Sequence, residues 1–581
     1  MGRKGRVVRG EGILPFVSEE VEGDRAITSF AGLPLVAEAF RACGASEAVR
    51  RRVVTRERYR ERGLSDEELV ESFCLLIGMG AESLDDFEQA RKEIALAQLI
   101  GHEFPSPTRA KQFLYDFQEC AEYGARHDAQ QQTEATKERA LIPGLVRPEN
   151  VPLEGLHEAI RATVLAAHVA EPARSATVDA DASIIESRKE EACWTYEGTK
   201  GYQPVVAVWA ERDLILRDEF RDGNVPAGNG LLKVAKEAVA TLPEGLEEIY
   251  FRSDSAGYTH ELLNWLRAEV EGRPPIIFGI SADMSVELRA AIEKLAETAW
   301  KRLARRNGEP DERRHWAEVE FIPDEPSHVK GRRPDRYLAI RIQPKQGKLF
   351  FDGSQAKYFA IVTNDWTRPG DELIHWQRGR CGTIEHTHEV LKNELGAGTL
   401  PCGRFGANAA WFRLNALTYN LLSLIRQTAL PKELATAKPK RLRFKLLCVA
   451  GEVVHHGRML FVRLWGTLTE EGGILERARL ALRRLAMLLA AARDAPEPAS
   501  QEIRRALSFL SPGRLCPLRT NPASKARAHT LVAATAPMAA CYAAAVHPIA
   551  PFQTPQVRSR SGRLPYLTIW AGNGEARSRI L

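Results

Sequence analysis

No Cys-x-x-Cys pair occurs among the nine cysteines of this 581-residue chain. That excludes a zinc-ribbon framework and a secreted disulfide scaffold, and it fits a reducing cytoplasm. The amino terminus, Met-Gly-Arg-Lys-Gly-Arg, is basic but has no apolar stretch behind it, so a secretory signal is not expected. The longest uncharged apolar run, Thr530 to Val546, is shorter than the ~20 residues a bilayer span needs, and Pro537 interrupts it. Signatures of the His-Glu-x-x-His, P-loop and Gly-x-Ser-x-Gly types are missing, which removes the corresponding zinc, nucleotide and serine-hydrolase readings. Acidic residues almost vanish at the end of the chain: beyond Glu502 the only one is Glu575.

What is present is ordinary globular material. Hydrophobic residues make up 44% and charged residues 27%, ample for a large buried core. The length implies three or four units at roughly 100–200 residues each. A net charge of +5 says little about partners, so local clusters must carry any nucleic-acid argument.

Residues 1–150 read as helical. Ser65-Asp66-Glu67-Glu68 is a capping box ahead of Leu69, Val70, Phe73, Leu76 and Ile77. Gly78 and Gly80 break that helix, Ser83 can cap the next, and Ser106-Pro107 starts another. A helix-turn-helix beside the cluster Arg50, Arg51, Arg52 and Arg56 suggests contact with duplex DNA, against the plainer reading of a solvated helix face.

From about 174 the pattern turns to short strands. Ala176–Asp179, Val205–Trp209, Leu214–Leu216, Glu248–Phe251 and Ile276–Gly279 are expected strands, with helices over 228–241 and 259–269. Three early strands and then alternating helix and strand is the order of a ribonuclease-H-like α/β core, spanning 151–282 and 371–430. Residues 283–370 are expected as a β-rich insertion: a helix over 284–306 ending in Lys301-Arg302, then strands at Glu318–Ile322, Tyr337–Ile342, Lys348–Phe351 and Tyr358–Thr363. Helices follow at 384–395, 407–427 and 472–494. Within the basic 431–495 region, Lys440, Arg441, Arg443 and Lys445 form a second candidate DNA-binding patch. His455-His456 is expected to be structural, and 496–581 is an atypical basic tail.

Three separated acidic residues carry the chemistry. Asp179 follows the apolar Thr177-Val178, Asp254 follows Ile249 to Ser253, and Glu385 opens a helical stretch. Converging carboxylates are hard oxygen ligands for two Mg²⁺ or Mn²⁺ ions, which clamp the attacking and leaving oxygens of a phosphodiester. Bare carboxylates ~4 Å apart repel by about 4 kcal/mol at an effective dielectric near 20, which ties such a trio to cations. Asp181 lies two residues after Asp179 and faces the same side of a strand, so either could be the first ligand, with Asp179 preferred. Taken singly, each aspartate reads first as a turn former or helix cap. Glu385 shares a helix face with His388, Glu389 and Lys392, which read alone is a solvated stripe.

The segments Thr177-Val-Asp179-Ala-Asp181, Tyr196-Glu-Gly198-Thr-Lys200-Gly-Tyr202, Arg221-Asp222-Gly223-Asn224, Arg252-Ser-Asp254-Ser255-Ala-Gly257-Tyr258 and Arg380-Cys-Gly-Thr-Ile-Glu385-His-Thr-His388-Glu-Val-Leu-Lys392 together resemble the DDE transposases of bacterial insertion sequences. A more distant similarity is to piggyBac-type transposases. The resemblance implies a ribonuclease-H-like core with Asp179, Asp254 and Glu385 as catalytic, metal-holding residues, and a β-strand insertion before the glutamate. It also implies Mg²⁺ dependence, recognition of terminal inverted repeats and target DNA, and homodimerisation to hold two transposon ends. A nucleoid-associated cytoplasmic location follows from that reading. The wider group shows Tyr-x2-Arg-x3-Glu-x6-Lys. Glu385-x6-Lys392 fits it, whereas the arginine is Arg380 with four intervening residues and position 377 is Gln. Arg380 and Lys392 would contact phosphates beside the scissile bond. Two rival readings keep the fold: a decayed, inactive DNA-binding derivative, and a ribonuclease-H-like metal-dependent nuclease.

Overall fold

The computed structural model describes residues 6–8, 18–20, 25–55, 63–117, 144–305, 308–323, 334–344, 350, 354–464 and 469–494, all within one compact unit, Met1–Ser511. The expected tail, 496–581, and Arg56 lie outside the described residues. So does most of the strand expected over Lys348–Phe351.

A nine-stranded mixed sheet organises the chain. Its strands are β1 (Ser175–Ala182), β2 (Val205–Trp209), β3 (Leu214–Glu219), β4 (Glu248–Ser253), β5 (Ile276–Ala282), β6 (Lys301–Ala304), β7 (Pro310–Val319), β8 (Arg336–Ile342) and β9 (Lys357–Thr363). They lie in the order β6-β7-β8-β9-β5-β4-β1-β2-β3. β1, β4 and β5 run parallel, while β2 and β3 at one side and β6 to β9 at the other pair antiparallel. The Val-Val-Ala-Val-Trp run of β2 is buried throughout, as is β3, because helices cover both, α6 (Leu231–Thr241) among them, while α7 (His260–Arg267) packs on β5. The residues expected as an insertion continue the same sheet through the antiparallel β5–β9 pairing.

One helix holds the rest together. α11 (Phe405–Thr428) buries every residue from Phe405 to Arg426, and a helix apolar all round belongs in a core. Its Asn420 side chain accepts from the Ile215 N–H at 2.7 Å and donates to the Ile215 carbonyl at 2.8 Å, which satisfies the edge of β3. α1 (Pro34–Ala42), α3 (Asp66–Met79), α4 (Pro107–Tyr115) and α5 (Val151–Ala170) pack around it. Phe73 of α3 meets Trp411 of α11 edge-on with ring centroids 6.2 Å apart. The Ser65–Glu68 capping box is present, and Gly80, at φ 97°, closes α3. α2 (Ala45–Arg52) lies so close to α5 that a Cβ on Gly155 would sit 2.6 Å from the Arg52 carbonyl. No helix among the described residues is long and apolar enough to cross a membrane.

Three expectations need correction. The helix placed over 284–306 ends early, as α8 (Val286–Glu293), and Lys301-Arg302 belong to β6. Strand pairing with β7 won there, because it buries Leu303 in a small core with Trp316, Leu338 and Ile361. α3 cannot enter a DNA groove, since Leu69 through Gly78 are all buried. The strand expected over Glu318–Ile322 lies earlier, as β7 (Pro310–Val319), while His455 and His456 do lie in a strand, Gly451–His456, with both side chains exposed.

Candidate active site

The register of the parallel strands β1 and β4 places the acidic residues. Asp179 pairs with Arg252 and Ala180 with Ser253. Continuing one residue sets Asp181 opposite Asp254, at the carboxyl ends of neighbouring central strands.

Asp179 is fully buried and fully engaged. Arg252 Nε donates to its Oδ1 at 2.6 Å and Nη2 to its Oδ2 at 2.8 Å, and the Thr383 hydroxyl also donates to Oδ2. The Arg252 guanidinium further donates to the Trp376 carbonyl at 2.5 Å. This fork joins β1 and β4 to the end of α9 (Gly370–Arg378) and the start of α10 (Ile384–Asn393).

Asp181 has a different environment. Burial and the charge of Asp254 push its carboxyl up to about 6, while Arg380 Nη1, 2.8 Å from Oδ2, opposes them. Half-buried Asp254 caps the turn Ser255–Gly257, its Oδ1 accepting from the Ala256 N–H at 3.1 Å. Glu385 is exposed on the first turn of α10 and hydrogen-bonds the Cys381 thiol, whose pKa burial and Glu385 raise. Among the described residues no three His, Cys, Asp or Glu side chains already stand in a group able to hold a metal ion.

The supporting residues split. His388 is buried beneath the site; burial, Lys392 and Arg380 push its pKa down to about 3, so it is neutral. Lys392 donates to the Ser183 hydroxyl at 2.5 Å and the Ile184 carbonyl at 2.6 Å, locking α10 to the segment that leaves β1. Glu389 pairs with Lys438 away from the carboxylates.

Of the residues expected on DNA, Arg50 and Arg51 are exposed and paired with Glu47, and Arg52 is exposed beside them. Lys440, Arg441 and Lys445 are exposed as well. Arg443 is not available: it donates to the Gly78 and Ile77 carbonyls at 3.0 Å and to the Glu394 carbonyl at 2.6 Å. It satisfies the carbonyl end of α3, and that use of an arginine explains its burial.

Sequence reasoning missed Arg252 and Thr383. The signal was there for Arg252: Asp-x-Asp on β1 and Arg-x-Asp at the end of β4 share a spacing, so an in-register parallel pair matches Asp179 with Arg252 and, one residue past the paired register, leaves Asp181 with Asp254.

The sequence profile of the family described as "Transposase DDE domain group 1" matches residues 16–487. No curated protein matches significantly. A solved structure of a piggyBac transposase synaptic complex with hairpin DNA is similar over 86% of this chain and 90% of that chain, at 9% identity and a TM-score of 0.36. With the family profile running through both halves of the sheet and all three carboxylates, this chain belongs to the transposase DDE domain group 1 family.

Proposed function

We propose that this protein cleaves DNA at transposon ends and joins the freed end to target DNA, with Asp181, Asp254 and Glu385 as its acidic residues. The observation that carries this reading is the juxtaposition of Asp181 and Asp254 at the ends of adjacent parallel strands, with the Asp181 carboxyl pushed up to about 6 by burial and by its neighbour's charge. The order β3-β2-β1-β4-β5 supports reading that half of the sheet as a ribonuclease-H-like core.

Asp181 takes the place first assigned to Asp179, because Asp179 has both oxygens committed to Arg252 and Thr383. The donor set suits hard divalent cations such as Mg²⁺ or Mn²⁺: carboxylate oxygens alone, with the Asp181 and Asp254 charges opposing each other. Glu385 would complete it by a change of rotamer, which an exposed side chain held only by a thiol allows. When bound, such ions supply Lewis-acid stabilisation of the attacking and leaving oxygens.

The chain's own groups do the rest. Arg380 neutralises Asp181 while no cation is there and can move onto a phosphate when one is. Neutral His388 and the Lys392 clamp fix α10, and with it Glu385, against β1. In the first reaction water attacks the phosphodiester at the transposon end, and the P–O3′ bond breaks to leave a 3′-hydroxyl. In the second, that hydroxyl loses its proton and attacks a target phosphodiester, whose own 3′ oxygen leaves. Two ends are held together, so a homodimer on terminal inverted repeats is the working assembly.

Asp254→Asn and Asp181→Asn should each lower Mg²⁺-dependent cleavage of an end-containing duplex by at least ~100-fold, without lowering the thermal midpoint. Undiminished cutting by either variant rules that residue out.

A further inference from the structure

A cavity of about 350 Å³ opens beside the carboxylates, where α9 ends over the carboxyl edge of β5 and the neighbouring β8 and β9. Ser255, next to Asp254, begins it. Ala282, Asp283 and Phe359 line it from the sheet, while Gln377, Arg378 and the Asp181-bound Arg380 line it from the helix side. Gln377 is committed through its amide nitrogen to the Ser253 carbonyl at 3.2 Å and the Ser281 hydroxyl at 3.1 Å, so that wall is fixed. Phe359 is 46% exposed, leaving an aromatic face open beside the polar groups.

Arg378 is the unexplained group. It is half-buried, lines the cavity, and among the described residues has no ion-pair or hydrogen-bond partner. Its charged neighbour from the sheet is another cation, Arg314, itself 3.8 Å from Asp311. Burial and Arg314 both push the Arg378 pKa down, as expected for a guanidinium that lacks an anion. Asp283, exposed at the same cavity, is the one acidic residue in its lining. A guanidinium left without a carboxylate, next to a phosphodiester-cutting centre, is poised for a phosphate.

We infer that this cavity is a nucleotide subsite in which Arg378 grips the backbone phosphate following the scissile one, on the strand that crosses β8 and β9. The inference rests on the transposition reading above and assigns Arg378 as a positioning residue. The Lys variant keeps a point charge and should retain part of the grip, whereas Gln loses it.

The test uses the full chain with a duplex of the element's terminal repeat, in EDTA so that no cleavage intervenes. Neutral methylphosphonate linkages are placed one at a time around the scissile position. In the unaltered protein, one linkage beside the scissile phosphate should weaken binding ~5–10-fold. Arg378→Gln should bind the natural duplex ~5–10-fold more weakly, gain no further loss from that linkage, and lower the slope of log affinity against log salt by about 0.9. Arg378→Lys should lie between the two. Equal methylphosphonate losses in the unaltered protein and in Arg378→Gln, whether or not the thermal midpoint has fallen, overturn the inference. An unaltered chain that does not bind its repeat strikes at the transposition reading instead.

Discussion

Removing the charge of Asp179 strands Arg252, whose side chain is only 7% exposed. Asp179→Asn should therefore cost about 3–5 kcal/mol of stability, the penalty of a buried charge that has lost its partner. Asp181→Asn should cost far less, because relief of burial and of repulsion from Asp254 offsets the lost ion pair with Arg380. Chemical denaturation of the two variants separates these roles. If Asp179→Asn folds as stably as the unaltered chain yet loses Mg²⁺-dependent cleavage, Asp179 is a ligand after all. The same contrast explains why the sequence left the choice between them open. Strand alternation puts both on one face, but only the partner strand decides which aspartate meets an arginine and which meets another aspartate.

The turn from β9 into α9 sets where Gln377, Arg378 and Arg380 fall. Asp365 shapes it, its Oδ1 accepting from the Thr367 N–H at 2.7 Å and the Arg368 N–H at 3.2 Å, while Arg368 Nε lies 2.5 Å from Oδ2. Burial opposes ionisation of Asp365, but the Arg368 and Thr367 hydrogen bonds win and hold its carboxyl down at about 2. A carboxyl lowered on folding adds stability that is fully present above the ordinary carboxylate range and is lost as pH falls toward 2. The unaltered chain should thus be more stable than Asp365→Asn at pH 6, and the gap in thermal midpoint should close steadily between pH 4 and 2. A gap that stays constant with pH would mean that the charge is not what the turn uses. At this scale the local signals read well. The capping box of α3, the Ser106-Pro107 start of α4 and the alternation or apolar runs of β1 to β5 depend on neighbours in sequence. The helix expected through Lys301-Arg302 failed because its competitor, pairing with β7, is a partner ten or more residues away.

Across the molecule a buried charge network joins the helical layer to the sheet. Arg413 of α11 donates from Nη1 and Nη2 to Glu149 at 2.9 and 2.7 Å, from Nε to Asp218 of β3 at 3.0 Å, and to the Leu153 carbonyl at 2.9 Å. Arg217 adds a second contact to Glu149 at 2.7 Å. Arg413→Met should leave Asp218 and Glu149 buried beside a single arginine and cost about 3–5 kcal/mol, read as a fall in denaturation midpoint. A variant as stable as the parent would show that the two acids take up protons or water at little cost.

The sequence by itself determined the strand and helix order outside 284–306, the apolar residues of α11 and the approximate places of the acidic residues, because periodicity and capping act over a few residues. It did not determine which basic residues are free. Arg443 in its basic patch and Lys392 on its helix face look available, yet the fold spends them on carbonyls of α3 and on the Ser183 hydroxyl and Ile184 carbonyl. Only the tertiary structure decided that, together with the burial of Asp179 and the isolation of Arg378. Charge pairing across a sheet or at a helix end depends on register and packing between segments up to hundreds of residues apart.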